Sequence, residues 1–412
     1  MLRNLISEKY FAGLDLGSQT IKTSILRTNE SHQPEVVGVF ESKTSGFGKA
    51  SIIDLGEFSE SINAAVAGLS KNTGIKLKEV TVGVGAELIT DRFSQAVIPL
   101  CDRDTKVVTD QDIRKVQTQA RLLGVNMEEV IVHDFPQHYR LDDAHTAVNP
   151  AGLYGRKLEV QSLLILAHNT LIKNLTKAVN QAGLEVGSIL YSGTAASDVC
   201  LTPEQKRQGC LFIDIGCRRT SVMIFKDGQL RWIEHLPAGG GFVTRSIAES
   251  LNLTYDLAED IKQSYAVATR AAAQNEEEIL VKREDGYIPV KKELISASIE
   301  PVIAEFLSSL AGSVKKSALH DQLNAGVILA GGGALLPGLI ERVGETTNLP
   351  VKMAKVGLLQ DKVHHAAKFA ATIGLSLAGF QKAHAAVASR EKNGLWTAQF
   401  AHRVKQLYQE YF

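Results

Sequence analysis

The sequence predicts an α/β protein of two related domains facing each other, with a small α/β subdomain inserted into the first. Three observations carry this reading. Residues 210–228 read CLFIDIGCRRTSVMIFKDG: an apolar β-rich run, Asp214-Ile215-Gly216, a short polar turn closing on Thr220, a second apolar run and a Lys-Asp-Gly turn, which is a strand-turn-strand signature. Residues 11–26, FAGLDLGSQTIKTSIL, repeat the pattern about 200 residues earlier, so that Asp15 and Gly17 match Asp214 and Gly216. Residues 327–339, VILAGGGALLPGL, run an apolar strand into Gly331-Gly332-Gly333.

Each motif has a chemical reading. A hairpin turn of small residues can aim backbone N–H groups at an anion. Carboxylates beside such a turn are useful only with a cation between them and the anion. Mg²⁺ suits Asp15 and Asp214, because it takes one or two carboxylates, keeps several waters and binds phosphate. The alternative for either copy alone is an ordinary hairpin with a capping aspartate. The glycines of 331–333 let a flat ring lie on the backbone, because no Cβ intervenes.

In chain order, residues 10–84 read as strand, hairpin, strand and helix, with helical spacing over Glu57–Leu69 and a buried strand over Val80–Val84. Residues 85–162 change character: strand-like stretches at Phe93–Ile98, Glu129–Asp134 and Leu158–Leu166 surround one helix starting at Thr109, with Asp110 and Asp112 at its positive end. Asn149-Pro150-Ala151-Gly152 is a turn inside this subdomain. Leu163–Ala167 is expected to return as a core strand of the first domain, followed by a helix over Asn169–Ala182 that Gly183 ends. Ile189–Asp198 runs from strand into helix. Pro237-Ala238-Gly239-Gly240-Gly241 precedes a helix expected from about Thr244; its glycines can approach a phosphate, and a plain flexible loop reads equally well. A helix is expected over Tyr255–Arg270, on which Glu259 and Lys262 share a face, and an exposed ion pair is the simple reading. Residues 275–292 suggest an exposed hairpin, Lys292–Ser313 a long helix containing Pro301, and Ala366–Phe380 a buried helix whose Gly374 and Gly379 permit close packing.

Composition removes several function classes. Lys plus Arg and Asp plus Glu both total 45 of 412 residues, so no bulk charge favours nucleic acid. Cys101, Cys200, Cys210 and Cys217 lack the CxxC spacing of a zinc site or a disulfide framework and suit a reducing cytoplasm. The MLRNLISEKY start has no long apolar region, so no signal peptide is expected. No uninterrupted apolar run reaches membrane-spanning length. Residues 382–394 read as a linker. Beyond it, over 395–412, Trp396, Phe400, Val404, Leu407, Tyr408 and Tyr411 fall within one helical stripe of about 120°, flanked by Arg403 and Lys405, as in a helix lying in a membrane interface. A helix packed on the domain core, or on a partner protein, is the alternative.

Asp15-Leu16-Gly17, Asp214-Ile215-Gly216 and Gly331-Gly332-Gly333-Ala334-Leu335-Leu336-Pro337-Gly338 are similar in order and spacing to the phosphate-1, phosphate-2 and adenosine motifs of the actin-like ATPase superfamily. Within it the chain resembles the FtsA family of bacterial cell division over nearly its whole length. Phe135-Pro136-Gln137-His138-Tyr139 looks like that family's PQ-aromatic strand, and Asn149-Pro150-Ala151-Gly152-Leu153-Tyr154-Gly155 like its xPxGLxG turn; both fall in the inserted subdomain.

The resemblance implies duplicated ribonuclease-H-like domains with ATP between them. The first domain would comprise 9–84, 163–203 and 362–381, with 85–162 inserted. The second would comprise 204–245 and 321–361, with 246–320 as its outer subdomain. Gly17, Ser18, Gln19, Thr20 and Lys22 would meet the phosphates from one side and Gly216 and Thr220 from the other, with Gly240 and Gly241 passing nearby. Asp15 and Asp214 would hold Mg²⁺ through water and act as the catalytic pair. Glu259 and Lys262 match the superfamily's pair at the nucleoside, and Gly331, Gly332 and Gly333 would flank the adenosine. The implied protein is peripheral on the cytoplasmic side of the cell's inner membrane at the division septum. It would polymerise into protofilaments, bind anionic lipids through its tail, tether the tubulin-like FtsZ and meet other division proteins.

Two departures stand out. Cys217, Arg218 and Arg219 occupy a turn that is usually glycine-rich; either their side chains block its geometry or an Arg pairs bidentately with a phosphate, with ATP bound and hydrolysis weak or absent. No residue is assigned to the attacking water. Val302 follows Pro301 where the family typically has a basic residue in the FtsZ-contacting subdomain. A PilM-like scaffold of pilus assembly is the leading alternative, against which the terminal helix argues. A sugar-kinase-like enzyme ranks lower, for want of a sugar pocket in the inserted subdomain.

Overall fold

The computed structural model describes residues 10–48, 50–101, 104–143, 145–269, 277–283, 286–359 and 365–385. The expected tail helix over 395–412, with Trp396, Phe400, Arg403, Val404, Lys405, Leu407, Tyr408 and Tyr411, and most of the expected linker lie outside them.

Two five-stranded sheets of one topology build the molecule. The first orders Pro34–Lys43, Thr20–Thr28, Tyr10–Leu16, Glu79–Val84 and Glu185–Tyr191; the second orders Gln229–Leu236, Thr220–Lys226, Cys210–Ile215, Val327–Ala330 and Val351–Met353. In each, three antiparallel strands lead into two strands that join parallel. The repeated motif falls at equivalent places. Asp15 stands opposite Lys22 and beside Gly83, and Asp214 stands opposite Ser221 and beside Ala330.

Side-chain alternation decides how the sheets pack. In the second sheet Phe212, Met223, Phe225 and Ile328 point into a core shared with the first domain. Leu211, Ile213, Ile215, Val222, Ile224, Val327 and Leu329 point the other way, under the outer helices of the second domain. That sheet is therefore buried on both faces, and the continuous core fixes one sheet against the other. Helix 370–385 returns to the first domain: Ser24 Oγ donates to Thr372 O at 2.8 Å, Thr372 Oγ1 to Gly13 O at 3.0 Å, and Phe380 packs edge-on against Phe11. A methyl group on Gly374 would collide with the carbonyl of Ala195, so glycine is what lets helix 370–385 meet Ser192–Cys200.

The inserted subdomain has its own four-stranded sheet, ordered His145–Ala147, Glu129–Leu141, Lys157–His168 and Ile89–Pro99. Helix Asp110–Gly124 opens with a capping box between Thr109 and Asp112. The expected boundary between residues 162 and 163 is not a break. Lys157–His168 is one strand, hydrogen-bonded along its length to both neighbours inside the insert. Its first half gives Leu158 and Val160 to the insert's core, and its second half gives Leu163, Ile165 and Ala167 to the main core. Gln137, in the PQ-aromatic stretch, is buried and donates through Nε2 to Leu230 O at 2.9 Å, while Arg231 donates to Gln137 O. These bonds fasten the insert to the edge strand of the second sheet.

Several helices differ from their expected bounds, and backbone hydrogen bonds explain two of them. The one expected from Thr244 starts at Gly240 and runs to Leu251, because its first N–H groups find carbonyls: Gly240 N donates to Gly216 O at 2.9 Å and Gly241 N to Cys217 O at 2.8 Å. The one expected to reach Arg270 spans Tyr255–Tyr265. There Ala266 N caps back to Lys262 O, and Ala268 N leaves to pair with Pro337 O at 2.7 Å. Lys292–Ser317 is long and apolar enough to cross a membrane by length and composition, at a mean hydropathy of 1.4 over its most apolar window. Its Ile295, Ile299, Ile303, Phe306, Leu310 and Val314 are core residues of the second domain.

Candidate functional site

A cavity of about 440 Å³ opens between the two sheets at the carboxyl ends of their parallel strands. Open α/β sheets place ligands there, and ligand sites typically measure roughly 300–1,000 Å³. Asp15 and Asp214 stand one residue before the ends of the two central strands, and both line it. Ser192 Oγ donates to Asp15 Oδ1 at 2.7 Å. Burial first, and the charge of Asp15 second, raise the Asp214 carboxyl from 3.8 to about 6, against the favourable charge of Lys22. Two carboxylates held in this way attract a cation.

The two hairpin turns form opposite walls. Gly17, Ser18, Gln19, Thr20 and Lys22 line the cavity on one side. Thr44 holds that turn from outside, through Oγ1 to Gly17 O at 2.8 Å and through its N–H to Gln19 O at 2.9 Å. Gly216 lines the other side, where its N–H closes the turn on Arg219 O at 3.0 Å. Cys217, Arg218 and Arg219 adopt no left-handed backbone, so their side chains do not prevent the turn from closing.

Most of the expected residues come together here, and two do not face the cavity. Thr220 is fully buried, and its Oγ1 donates to Ala238 O at 2.8 Å, so it ties the glycine loop to the turn from behind. Gly241 sits against the turn, where a Cβ would come within 2.7 Å of Cys217 Sγ. Gly240 does line the cavity, although its N–H is already given to Gly216 O. Glu259 and Lys262 are half-buried rather than exposed. Lys262 Nζ meets Glu259 Oε2 at 2.6 Å and Thr244 Oγ1 at 2.9 Å. Burial opposes the charge of Glu259, but hydrogen bonds from Lys262, Thr244 and Gln263 outweigh it and hold the carboxyl below its usual range. Gly331, Gly332 and Gly333 form the far wall. Gly331 has φ +85°, and a Cβ there would strike Ile215 O and Asp214 Oδ1, so both backbone and space require glycine.

Several cavity residues carried no local signal. Tyr191 OH donates to Ser221 Oγ at 2.6 Å, a buried bond between the domains beneath the cavity. Glu87 follows the Glu79–Val84 strand, and Lys368 pairs with Glu41 at the rim. Ser192 and Glu87 were accessible to one rule only, that residues just past parallel strand ends face the ligand.

The residues fit a phosphorylated ligand with a divalent cation. Among the described residues no group of three His, Cys, Asp or Glu could hold a metal. A cation between Asp15 and Asp214 would therefore draw its other ligands from water and from the bound molecule, which is how Mg²⁺ sits on phosphates.

Family comparisons agree with this architecture. The family model for the cell division protein FtsA matches residues 211–374, and that for the SHS2 domain inserted in FtsA matches residues 89–166. FtsA of Enterococcus hirae is 30% identical over 354 residues, covering 83% of this chain and 77% of that protein. FtsA of Borreliella burgdorferi is 28% identical over 386 residues, covering 92% and 91%. Among solved structures, a PilM–PilN type IV pilus biogenesis complex aligns with a TM-score of 0.66 at 17% identity, covering 91% of this chain and 99% of that one. MreB5 of Spiroplasma citri bound to ADP aligns at 0.54 and 12% identity, covering 91% and 98%. These likenesses define the actin-like fold. With two domains of one topology around a cleft and an SHS2 insert in the first, the chain belongs to the FtsA family of cell-division proteins.

Proposed function

We propose that the chain binds ATP with Mg²⁺ in this cleft, assembles with its own copies into protofilaments on the cytoplasmic face of the membrane, and tethers FtsZ filaments at the division septum. The observation that carries the nucleotide part is the pair of equivalent hairpins, which bring Asp15 and Asp214 to one cavity with the glycine loop opposite. In this reading Gly17 to Thr20 and Gly216 offer backbone N–H and hydroxyl groups to phosphates, and Lys22 offers charge. Asp15 and Asp214 hold the cation through water, Glu259 and Lys262 fix the sugar, and Gly331 to Gly333 flank the base. A bound Mg²⁺ would neutralise phosphate charge. No side chain is assigned to the attacking water, and we propose weak turnover or none. The MreB5 relative, described as bound to ADP, supports nucleotide binding by analogy of fold.

The membrane part rests on the sequence of 395–412. Its aromatic stripe and basic flanks match a helix that binds anionic lipid in the interface plane, and other division proteins would gather on the same assembly. The FtsZ part rests on family membership. Val302, where relatives typically carry a basic residue, is partly buried against the second domain's core, so this contact would use neighbouring positions. The experiment is sedimentation of FtsZ with anionic phospholipid vesicles in the presence of the full chain, ATP and Mg²⁺. FtsZ should pellet with the full chain and stay in solution when residues 395–412 are deleted. Pelleting with the deleted protein would remove the tail from the account, and no pelleting with either would remove the tether.

A further inference from the structure

Glu87 and Arg218 reach toward each other from the two domains, and both line the cavity. Glu87 lies in the turn after the Glu79–Val84 strand, where Leu88 N donates to Gly85 O at 3.0 Å and the buried Val84 and Leu88 pin the backbone. Its side chain is only 13% exposed. Oε1 stands 3.9 Å from Arg218 Nε, and Oε2 is buried without a hydrogen-bond partner among the described residues. A carboxylate taken out of water needs close, hydrogen-bonded compensation, and among the described residues this one has one cation within 4 Å, beyond hydrogen-bonding distance.

Arg218 is held differently. Its backbone is fixed in the Gly216–Arg219 turn, but its side chain is 40% exposed and can swing. The guanidinium has five donors in a planar fork, which suit a phosphate better than one distant carboxylate oxygen. Its neighbour Arg219 also lines the cavity, and its charge adds to burial in keeping the His235 ring neutral; among the described residues it is Arg218 that has a first-domain carboxylate within 4 Å. A second cross-domain pair, Lys43–Asp256 at 3.1 Å, is 78% exposed on both sides, and water screens it.

We propose that Glu87 and Arg218 form a charge latch across the cleft. Arg218 leaves Glu87 for the terminal phosphate of a nucleoside triphosphate and stays with Glu87 when the ligand is a diphosphate. Arg218 is then the residue that reads phosphate number, and Glu87 its competitor. This rests on the nucleotide-binding reading above.

The test is calorimetric binding of ATP and of ADP, with Mg²⁺, to the full chain and to Arg218→Gln, Glu87→Gln and the double variant. Glu87→Gln conserves side-chain shape, Arg218→Gln shortens a partly exposed side chain, and thermal melts check that each variant is folded. Arg218→Gln should weaken ATP about tenfold and ADP by less than about threefold, the loss of one charge-assisted contact. Glu87→Gln should tighten ATP about threefold or more and leave ADP unchanged, because the competitor is gone. In the Arg218→Gln background Glu87→Gln should do nothing further. Equal tightening of ATP in both backgrounds would mean that Glu87 merely repels phosphate, and the latch is wrong. Arg218→Gln weakening ATP and ADP equally would also overturn it. A wild-type chain that binds neither nucleotide removes the nucleotide reading, and the latch with it.

Discussion

Replacing Asp214 by Asn should stabilise the ligand-free protein at neutral pH and destroy that advantage in acid. Burial and the charge of Asp15 raise the folded-state carboxyl from 3.8 to about 6. The folded state therefore holds its proton more tightly than the unfolded chain between those values, and stability falls as pH rises through the window. Below about pH 4 the group is protonated in both states and costs nothing; above about pH 6 the full cost is present. The raised value corresponds to roughly 3 kcal/mol. Asp214 keeps partial contact with cleft water, so about 1–2 kcal/mol is the figure to expect. For a chain of this length that raises Tm by about 1–3 °C. Thermal melts of wild type and Asp214→Asn, without nucleotide or divalent cation, from pH 4 to pH 8, measure it. No advantage at pH 7.5 would refute the argument that the site stores an uncompensated charge. An advantage independent of pH would refute its assignment to ionisation.

Three further substitutions test the scaffold. Gly374→Val drives a branched side chain into the Ala195 carbonyl and should destabilise by about 3 kcal/mol or more, read as a lower midpoint in urea. Gln137→Leu leaves the Leu230 carbonyl without its donor and should lose about 1–3 kcal/mol, with faster amide exchange along Gln229–Leu236. Thr109→Ala removes one half of a capping box and should lose about 1 kcal/mol, with exchange accelerated at the start of Asp110–Gly124 and not in the cleft.

The parts of the fold legible in the sequence are those set by local chemistry. The equivalence of Asp15 and Asp214 could be read because strand alternation and turn residues repeat on a short period, and the duplicated sheets place both aspartates at one register. The start of helix Gly240–Leu251 could not, because glycine is a poor helix former and its first turn is held by carbonyls from the Gly216–Arg219 turn. Tyr255–Tyr265 stops early for a similar reason, as the following chain pairs with Pro337, some 70 residues away. The Tyr191–Ser221, Glu87–Arg218 and Glu41–Lys368 contacts join residues whose neighbours in sequence say nothing about them. Thr220 shows the converse: a residue whose place in the motif suggested a ligand contact turns its hydroxyl to Ala238. Position along the chain located the cleft, and packing decided which side chains face it.

The most direct test of the account is isothermal calorimetry of ATP with the full chain, in Mg²⁺ and in excess chelator, beside the Asp15→Asn variant. The account predicts one saturable site per chain, Mg²⁺-dependent, and weakened about tenfold or more in the variant. Absence of binding, or binding indifferent to both Mg²⁺ and Asp15, would contradict the assignment of this cleft to Mg-ATP.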